Sequence, residues 1–158
     1  EQALQSLNKS VLPGLGLVQG VSHTEYIKAH DGGAFYFLET SARVGGAHIV
    51  DLIEGATGLN LWAEWAKLET AEDVRKYSPA SLREEYAGLM VSLAKQEWPD
   101  MSGYNDPEIF WKIHKQFHAG LVVRSPQWER IETLLSGYTD RFYQDFFTSA
   151  PPKEKPTH

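Results

Sequence analysis

A turn signal between two segments of strand character constrains the fold of this chain most. Residues 21–29 and 34–39 read as strands, and the sequence HDGG at 30–33 separates them. Such a pattern is typical of an antiparallel β-hairpin. Glu25 lies on the first strand and Glu39 ends the second, so we expect the two carboxylates to approach each other across the pair.

Alternation along the second strand predicts which of its side chains share a face. Phe35, Phe37 and Glu39 are expected on one face of the sheet, and Tyr36 and Leu38 on the other. Glu39 would then lie at the end of its strand, on a face that can border a cleft. A single glutamate at a strand end is usually a solvated charge, so any functional interpretation depends on its neighbours.

The residues after the second strand supply such neighbours. Two nearby carboxylates repel each other unless a cation lies between them or one is protonated, and hard oxygen ligands favour Mg²⁺. Arg43 offers a planar fork for phosphate or carboxylate oxygens. Gly45 and Gly46 allow a backbone to approach a ligand closely, and the N-terminus of the helix that follows favours an anion. Each feature alone has an ordinary structural explanation, whereas the combination indicates a site.

The segments that carry this combination resemble a known enzyme superfamily. HTEYI at 23–27 and FYFLETSARVGGAHIVDLIEGATGLNLW at 35–62 resemble the C-terminal half of the catalytic core of the ATP-grasp superfamily. That superfamily includes carboxylate–amine ligases such as L-amino acid ligases and, more distantly, biotin carboxylase. The resemblance is close over residues 15–69 and loose over 84–147.

The resemblance implies roles for four polar residues. Glu25 and Glu39 correspond to the family's two acids, which bind Mg²⁺ or Mn²⁺ bridging the phosphates of the co-substrate ATP. Ser41 stands where the family usually has asparagine, and as a hydroxyl it would be a weaker third ligand. Arg43 corresponds to the family arginine that contacts the transferred phosphoryl group or the acyl-phosphate, which makes it the catalytic candidate.

The same resemblance implies a substrate pocket and a reaction. Gly45, Gly46 and His48 would shape the pocket for the acceptor substrate. Biotin carboxylase carries a catalytic glutamate in this region, where the present chain reads Gly46-Ala47-His48, so the L-amino acid ligase branch fits better. The implied reaction activates a carboxylate to an acyl-phosphate with Mg-ATP and joins it to an amine or a similar nucleophile.

Along the whole chain the pattern predicts an α+β fold in two parts. Residues 1–69 would be the ATP-grasp C-terminal core segment, an antiparallel hairpin sheet with helices. A polar junction covers 70–83, a small βαβα subdomain 84–147, and a disordered tail 148–158. In the subdomain, the pattern predicts a strand from Tyr86, a helix opened by Asp106 and Pro107, a strand from His118 and a long final helix.

The composition limits the classes of partner and the cellular compartment that we expect for this protein. A role in binding nucleic acid would call for a basic face, and with a net charge of −6 nothing in the sequence suggests one. The chain has no cysteine, which fits a reducing compartment, and we predict a cytoplasmic protein. No window approaches the roughly 18 apolar residues of a membrane span, and no signal peptide is visible.

Several alternatives stay open at this point. The ATP-grasp fold needs an N-terminal half with a glycine-rich loop and lysines, and the chain starts at Glu1 without them, so we expect the chain alone to be inactive. It could instead be a binding or oligomerisation module that keeps the hairpin as a relic. Part of the aromatic final helix could form a partner interface. A homodimer is a further alternative, with no surface assigned to it. His114 and His118, four residues apart, would bind zinc only with a third ligand.

Overall fold

The computed structural model describes residues 2–148. Within this range the chain forms four α-helices, one 3₁₀ turn and five strands in two antiparallel sheets. In chain order the elements are α1 (Gln2–Gly14), β1 (His23–Lys28), β2 (Phe35–Ser41), α2 (Ile49–Thr57), α3 (Leu61–Thr70), the 3₁₀ turn (Val74–Lys76), β3 (Tyr86–Leu93), β4 (Ile109–Lys112), β5 (His118–Ser125) and α4 (Trp128–Asp145). The tail predicted to be disordered lies, apart from residue 148, outside the described residues.

The chain divides into two compact units. One comprises the residues up to 50 together with 59–81, and the other comprises 51–58 together with the residues from 82 onward. The boundary after residue 81 falls inside the 70–83 segment that the sequence predicts as a junction. Residues 51–58, which the sequence-based division assigns to the first part, pack with the second unit.

In the first unit, polar contacts join the helices to the rest of the unit. The Tyr26 hydroxyl on β1 donates a hydrogen bond to Asn8 Oδ1 on α1, at 2.8 Å. The Glu64 carboxylate on α3 is buried and accepts hydrogen bonds from Lys67 Nζ at 2.6 Å and from the Tyr77 hydroxyl at 2.5 Å. These two bonds hold the pKa of Glu64 below its ordinary value and so favour its charged form.

The second unit contains a three-stranded sheet in the order β3-β5-β4, covered on one face by α4. Gly88 on β3 lets the helix lie close, because a Cβ there would come within 2.8 Å of the Ile131 side chain and 2.7 Å of Leu135. The segment of α2 around Gly55 packs on the opposite face, where a Cβ on Gly55 would lie 3.1 Å from Val122. The core of this unit therefore lies between the sheet and α4.

One predicted element of the second unit is wrong. The helix expected from Asp106 to Lys115 is a turn followed by β4, which pairs antiparallel with β5, so the order is βββα rather than βαβα. Asp106 carries a helix-start signal, but its carboxylate accepts hydrogen bonds from the Tyr138 hydroxyl and from Arg130 on α4. Tertiary partners thus use the group that would otherwise cap a helix. Burial, together with this bond, raises the pKa of Tyr138 to about 12.

Candidate functional site

The hairpin places the two predicted carboxylates opposite each other. Glu25 pairs with Glu39, whereas the next residue, Tyr26, pairs with Phe37, so Leu38 is an extra residue in β2. Opposed residues share a face, and Glu25 and Glu39 therefore point to the same side of the sheet. The prediction that Phe37 shares the face of Glu39 is wrong, because the bulge reverses the alternation. The Phe37 ring instead meets Tyr26 edge-to-face, with 6.0 Å between centroids.

Two more polar side chains lie on the carboxylate face. His23 pairs with Ser41 two positions from the glutamates, so both share that side of the hairpin. His23 Nε2 lies 3.2 Å from Glu25 Oε1, and the Glu25 side chain remains 46% exposed. The face thus presents two carboxylates, one hydroxyl and one imidazole to solvent or a ligand.

These residues fit the divalent cation that the sequence resemblance implies. Like charges directly opposed across two strands destabilise the pair, and a cation between Glu25 and Glu39 would remove that repulsion. Carboxylate and hydroxyl oxygens are ligands that Mg²⁺ and Mn²⁺ accept. Among residues 2–148 no three histidine, aspartate or glutamate side chains converge as a complete metal site. A cation here would therefore need further ligands from water or phosphate oxygens.

The histidine pair considered for zinc has other contacts. His114 stacks on the Trp98 ring, with 5.1 Å between ring centroids. His118 begins β5, and its Nδ1 lies 2.7 Å from the backbone oxygen of Gln116. The described part of the chain supplies no third acidic or histidine ligand beside them. The zinc hypothesis therefore lacks the ligand that it requires.

The loop after β2 brings Arg43 beside the glycine pair. Arg43 is exposed, and its Nη1 donates a hydrogen bond to the backbone oxygen of Val44 at 2.9 Å. The same nitrogen lies 4.0 Å from the point that a Cβ on Gly46 would occupy. Gly46 is exposed, whereas Gly45 is buried. The guanidinium and the Gly46 backbone can therefore face the same ligand, while Gly45 has a packing role.

Two residues just before α2 have left-handed backbones. Ala47 has φ of 49° and His48 has φ of 66°, although neither is glycine. Each such residue costs about 1–2 kcal/mol, and strain of this kind clusters at functional sites. The Ile49 amide at the start of α2 donates to the Gly46 oxygen at 3.0 Å and closes the turn. Sequence reasoning missed this conformation because nothing in Ala-His signals it.

The two glycines are expected to respond differently to the same substitution. A Cβ on Gly45 would lie 2.9 Å from Ile49 Cγ2 and 3.0 Å from His23 Nδ1, whereas a Cβ on Gly46 meets nothing closer than 4.0 Å. Gly45→Ala should lower the free energy of unfolding by about 1–3 kcal/mol. Gly46→Ala should change it by less than about 0.5 kcal/mol. Urea denaturation of both variants measures the difference, and equal losses would contradict the packing role of Gly45.

The fold is similar to that of an enzyme of known structure. An L-amino acid ligase from Bacillus licheniformis superposes with a TM-score of 0.67 over 89% of this chain, at 16% sequence identity. This likeness shows the fold. It confirms the predicted α+β class with an antiparallel hairpin sheet. The chain spans 40% of the length of that ligase.

Comparison by sequence adds no assignment. No protein-family model matches the chain, and no curated protein matches it.

Within the described residues, every helix is too short or too polar to cross a lipid bilayer.

Proposed function

We propose that this chain is the C-terminal part of an ATP-dependent ligase that joins a carboxylate to an amine. The observation that carries the proposal is the register of the hairpin, which sets Glu25 opposite Glu39 on one face. Arg43 follows in the loop that leads to α2. The structural likeness to an L-amino acid ligase supports the same class of reaction.

Three residues of the hairpin would hold the divalent cation. Glu25 and Glu39 would be its carboxylate ligands, and Ser41 would contribute a hydroxyl or hold one of its waters. When bound, Mg²⁺ or Mn²⁺ would neutralise the negative charge of the phosphate oxygens of ATP. The contact between His23 and Glu25 would fix the orientation of that carboxylate before the cation arrives.

The loop residues would act on the reacting groups. In the first step a substrate carboxylate oxygen attacks the γ-phosphorus of ATP, and ADP leaves. In the second the amine attacks the acyl carbon of the acyl-phosphate, loses a proton, and phosphate leaves. Arg43 would bind the phosphoryl oxygens and stabilise their charge in both steps. Gly46 and His48 would border the substrate, with Gly45 holding the loop against β1 and α2.

A complete nucleotide site would need protein beyond this chain. Ile27 and its partner Tyr36 lie on the carboxylate face of the hairpin and are 54% and 60% exposed. A sheet of two strands is marginal by itself, and exposed apolar side chains of this kind commonly mark a surface that another segment covers. We therefore propose that the nucleotide-binding half of the ligase packs here, and that the chain alone does not turn over ATP.

Binding of Mn²⁺, followed by electron paramagnetic resonance, tests the carboxylate pair directly. We expect Glu39→Gln to weaken Mn²⁺ binding by about tenfold or more, since it removes one ligand of a site with few others. Glu72→Gln makes the same charge change at an exposed position of the first unit and should leave binding unchanged. Equal binding by both variants would contradict the metal role and favour a non-catalytic module. ATP turnover by the chain alone would contradict the need for a further half.

A further inference from the structure

The outer edge of β3 is an open strand edge in the second unit. β3 is the first strand in the order β3-β5-β4 and pairs with β5 at all eight positions without a bulge. On its other side, the described residues supply a partner only beyond its end, where Ala94 bridges to Phe147. The strand reads YAGLMVSL, with no charge and no proline. It therefore lacks the usual features that keep an exposed edge from pairing with another strand.

The hydrogen bonds at the end of β3 show which backbone groups face the open edge. The Ala94 amide donates to Phe117 on the β5 side, and the Lys95 amide donates to Phe146 on the other side. Because amides alternate along a strand, the odd-numbered residues, including Leu89 and Val91, direct their backbone groups to the open edge. An antiparallel copy centred on Met90 would pair Leu89 of each chain with Val91 of the other. The edge is thus complementary to itself under a two-fold rotation.

Exposed apolar side chains flank this edge on both faces of the sheet. Val91 is 41% exposed on the face away from α4. On the α4 face, Tyr143 and Phe147 are 65% and 50% exposed and stack with 4.7 Å between centroids. They line an apolar groove of about 190 Å³ together with Met90 and other residues of β3 and α4. A two-fold axis normal to the sheet would bring the grooves of two copies side by side.

We propose that two copies of this chain dimerise by pairing their β3 edges into one continuous six-stranded sheet. Self-pairing brings no like charges together, because β3 is uncharged over its whole length. The residues at 149–158, SAPPKEKPTH, are poorly suited to the edge since each of their three prolines lacks the amide that a ladder requires. A second copy therefore fits the edge better than residues 149–158 do.

Sedimentation equilibrium of the full chain tests the dimer. We expect the wild type to dimerise and Val91→Lys to raise the dimer dissociation constant by about tenfold or more, because the two Val91 positions are diagonal neighbours across the paired strands and long ammonium side chains there would repel each other. Val18→Lys is the matched control, since Val18 is 84% exposed in the first unit and the substitution is the same. If Val91→Lys impairs folding, Thr139→Lys provides a second test. Thr139 lines the same groove on the exposed side of α4, so this variant should weaken the dimer without altering β3.

Mixing two variants tests the register. Val91→Lys and Val91→Glu should each dimerise more weakly than the wild type, and an equimolar mixture should recover the dimer, because the two positions are diagonal neighbours in the proposed pairing and opposite charges there attract. A monomeric wild type would overturn the proposal. So would a dimer that Val91→Lys and Val18→Lys affect equally, or a monomer that dimerises only when residues 149–158 are removed. The ligase proposal would survive each of these results, since it depends on the first unit.

Discussion

Replacing Tyr104 with alanine is expected to lower the free energy of unfolding of the second unit by about 3–5 kcal/mol, the range for deleting a buried aromatic ring. The Tyr104 side chain is 1% exposed. Its ring lies 5.2 Å from that of Tyr138, 4.9 Å from Phe142 and 5.6 Å from Phe146, all measured between centroids. Alanine would leave a cavity at the centre of this aromatic cluster, which fixes α4 to the loop before β4.

Tyr104→Phe removes the hydroxyl but keeps the ring, so it separates the contributions of the two groups to stability. The hydroxyl donates a hydrogen bond to Asp145 Oδ2 at 2.9 Å, and its loss should cost about 1 kcal/mol. The phenyl ring would keep the aromatic contacts and the Arg141 guanidinium, which lies 4.0 Å from the ring centroid. Urea denaturation followed by near-ultraviolet circular dichroism measures both variants. If phenylalanine and alanine cost the same, the hydroxyl rather than the ring carries the stability of this cluster.

The hairpin was predictable from sequence because its signals are local. A turn signal between two strand-like runs fixes which strands pair, and counting outward from the turn brings Glu25 near Glu39. The bulge at Leu38 was not predictable, since strict alternation assumes that no residue is extra. The bulge leaves the two carboxylates together but moves Phe37 to the other face. The error in the alternation therefore does not separate Glu25 from Glu39.

The errors elsewhere have a common physical cause in contacts that are distant in sequence. Asp106 would cap a helix by local rules, but Arg130 and Tyr138 are 24 and 32 residues away and use its carboxylate instead. The left-handed backbones of Ala47 and His48 likewise depend on how the loop is held between β2 and α2. Propensity rules describe a residue's neighbours along the chain and contain no term for such partners.

Replacing Arg43 with glutamine is expected to lower ATP-dependent amide formation by about 10²-fold or more, because it removes the cation that would neutralise the transferred phosphoryl group. The assay requires the polypeptide as the cell makes it, supplied with ATP, Mg²⁺ and pools of amino acids. It follows phosphate release together with the amide product by mass spectrometry. Arg43 is exposed, and its Nη1 hydrogen bond goes to the backbone of the adjacent residue Val44, so the variant should remain folded.

Two further arginine variants decide what the Arg43 result means. Arg43→Lys keeps the charge but loses the planar fork, so it should recover part of the activity if charge dominates and little if bidentate binding does. Arg75→Gln is the matched control, because Arg75 is 87% exposed in the same unit and pairs with Asp73. Equal activity of Arg43→Gln and Arg75→Gln would remove Arg43 from the chemistry. If Arg43→Gln loses amide formation and Arg75→Gln keeps it, the loop after β2 stabilises charge on the transferred phosphoryl group. That role explains why an arginine follows the carboxylate at the end of the hairpin and lies beside two glycines.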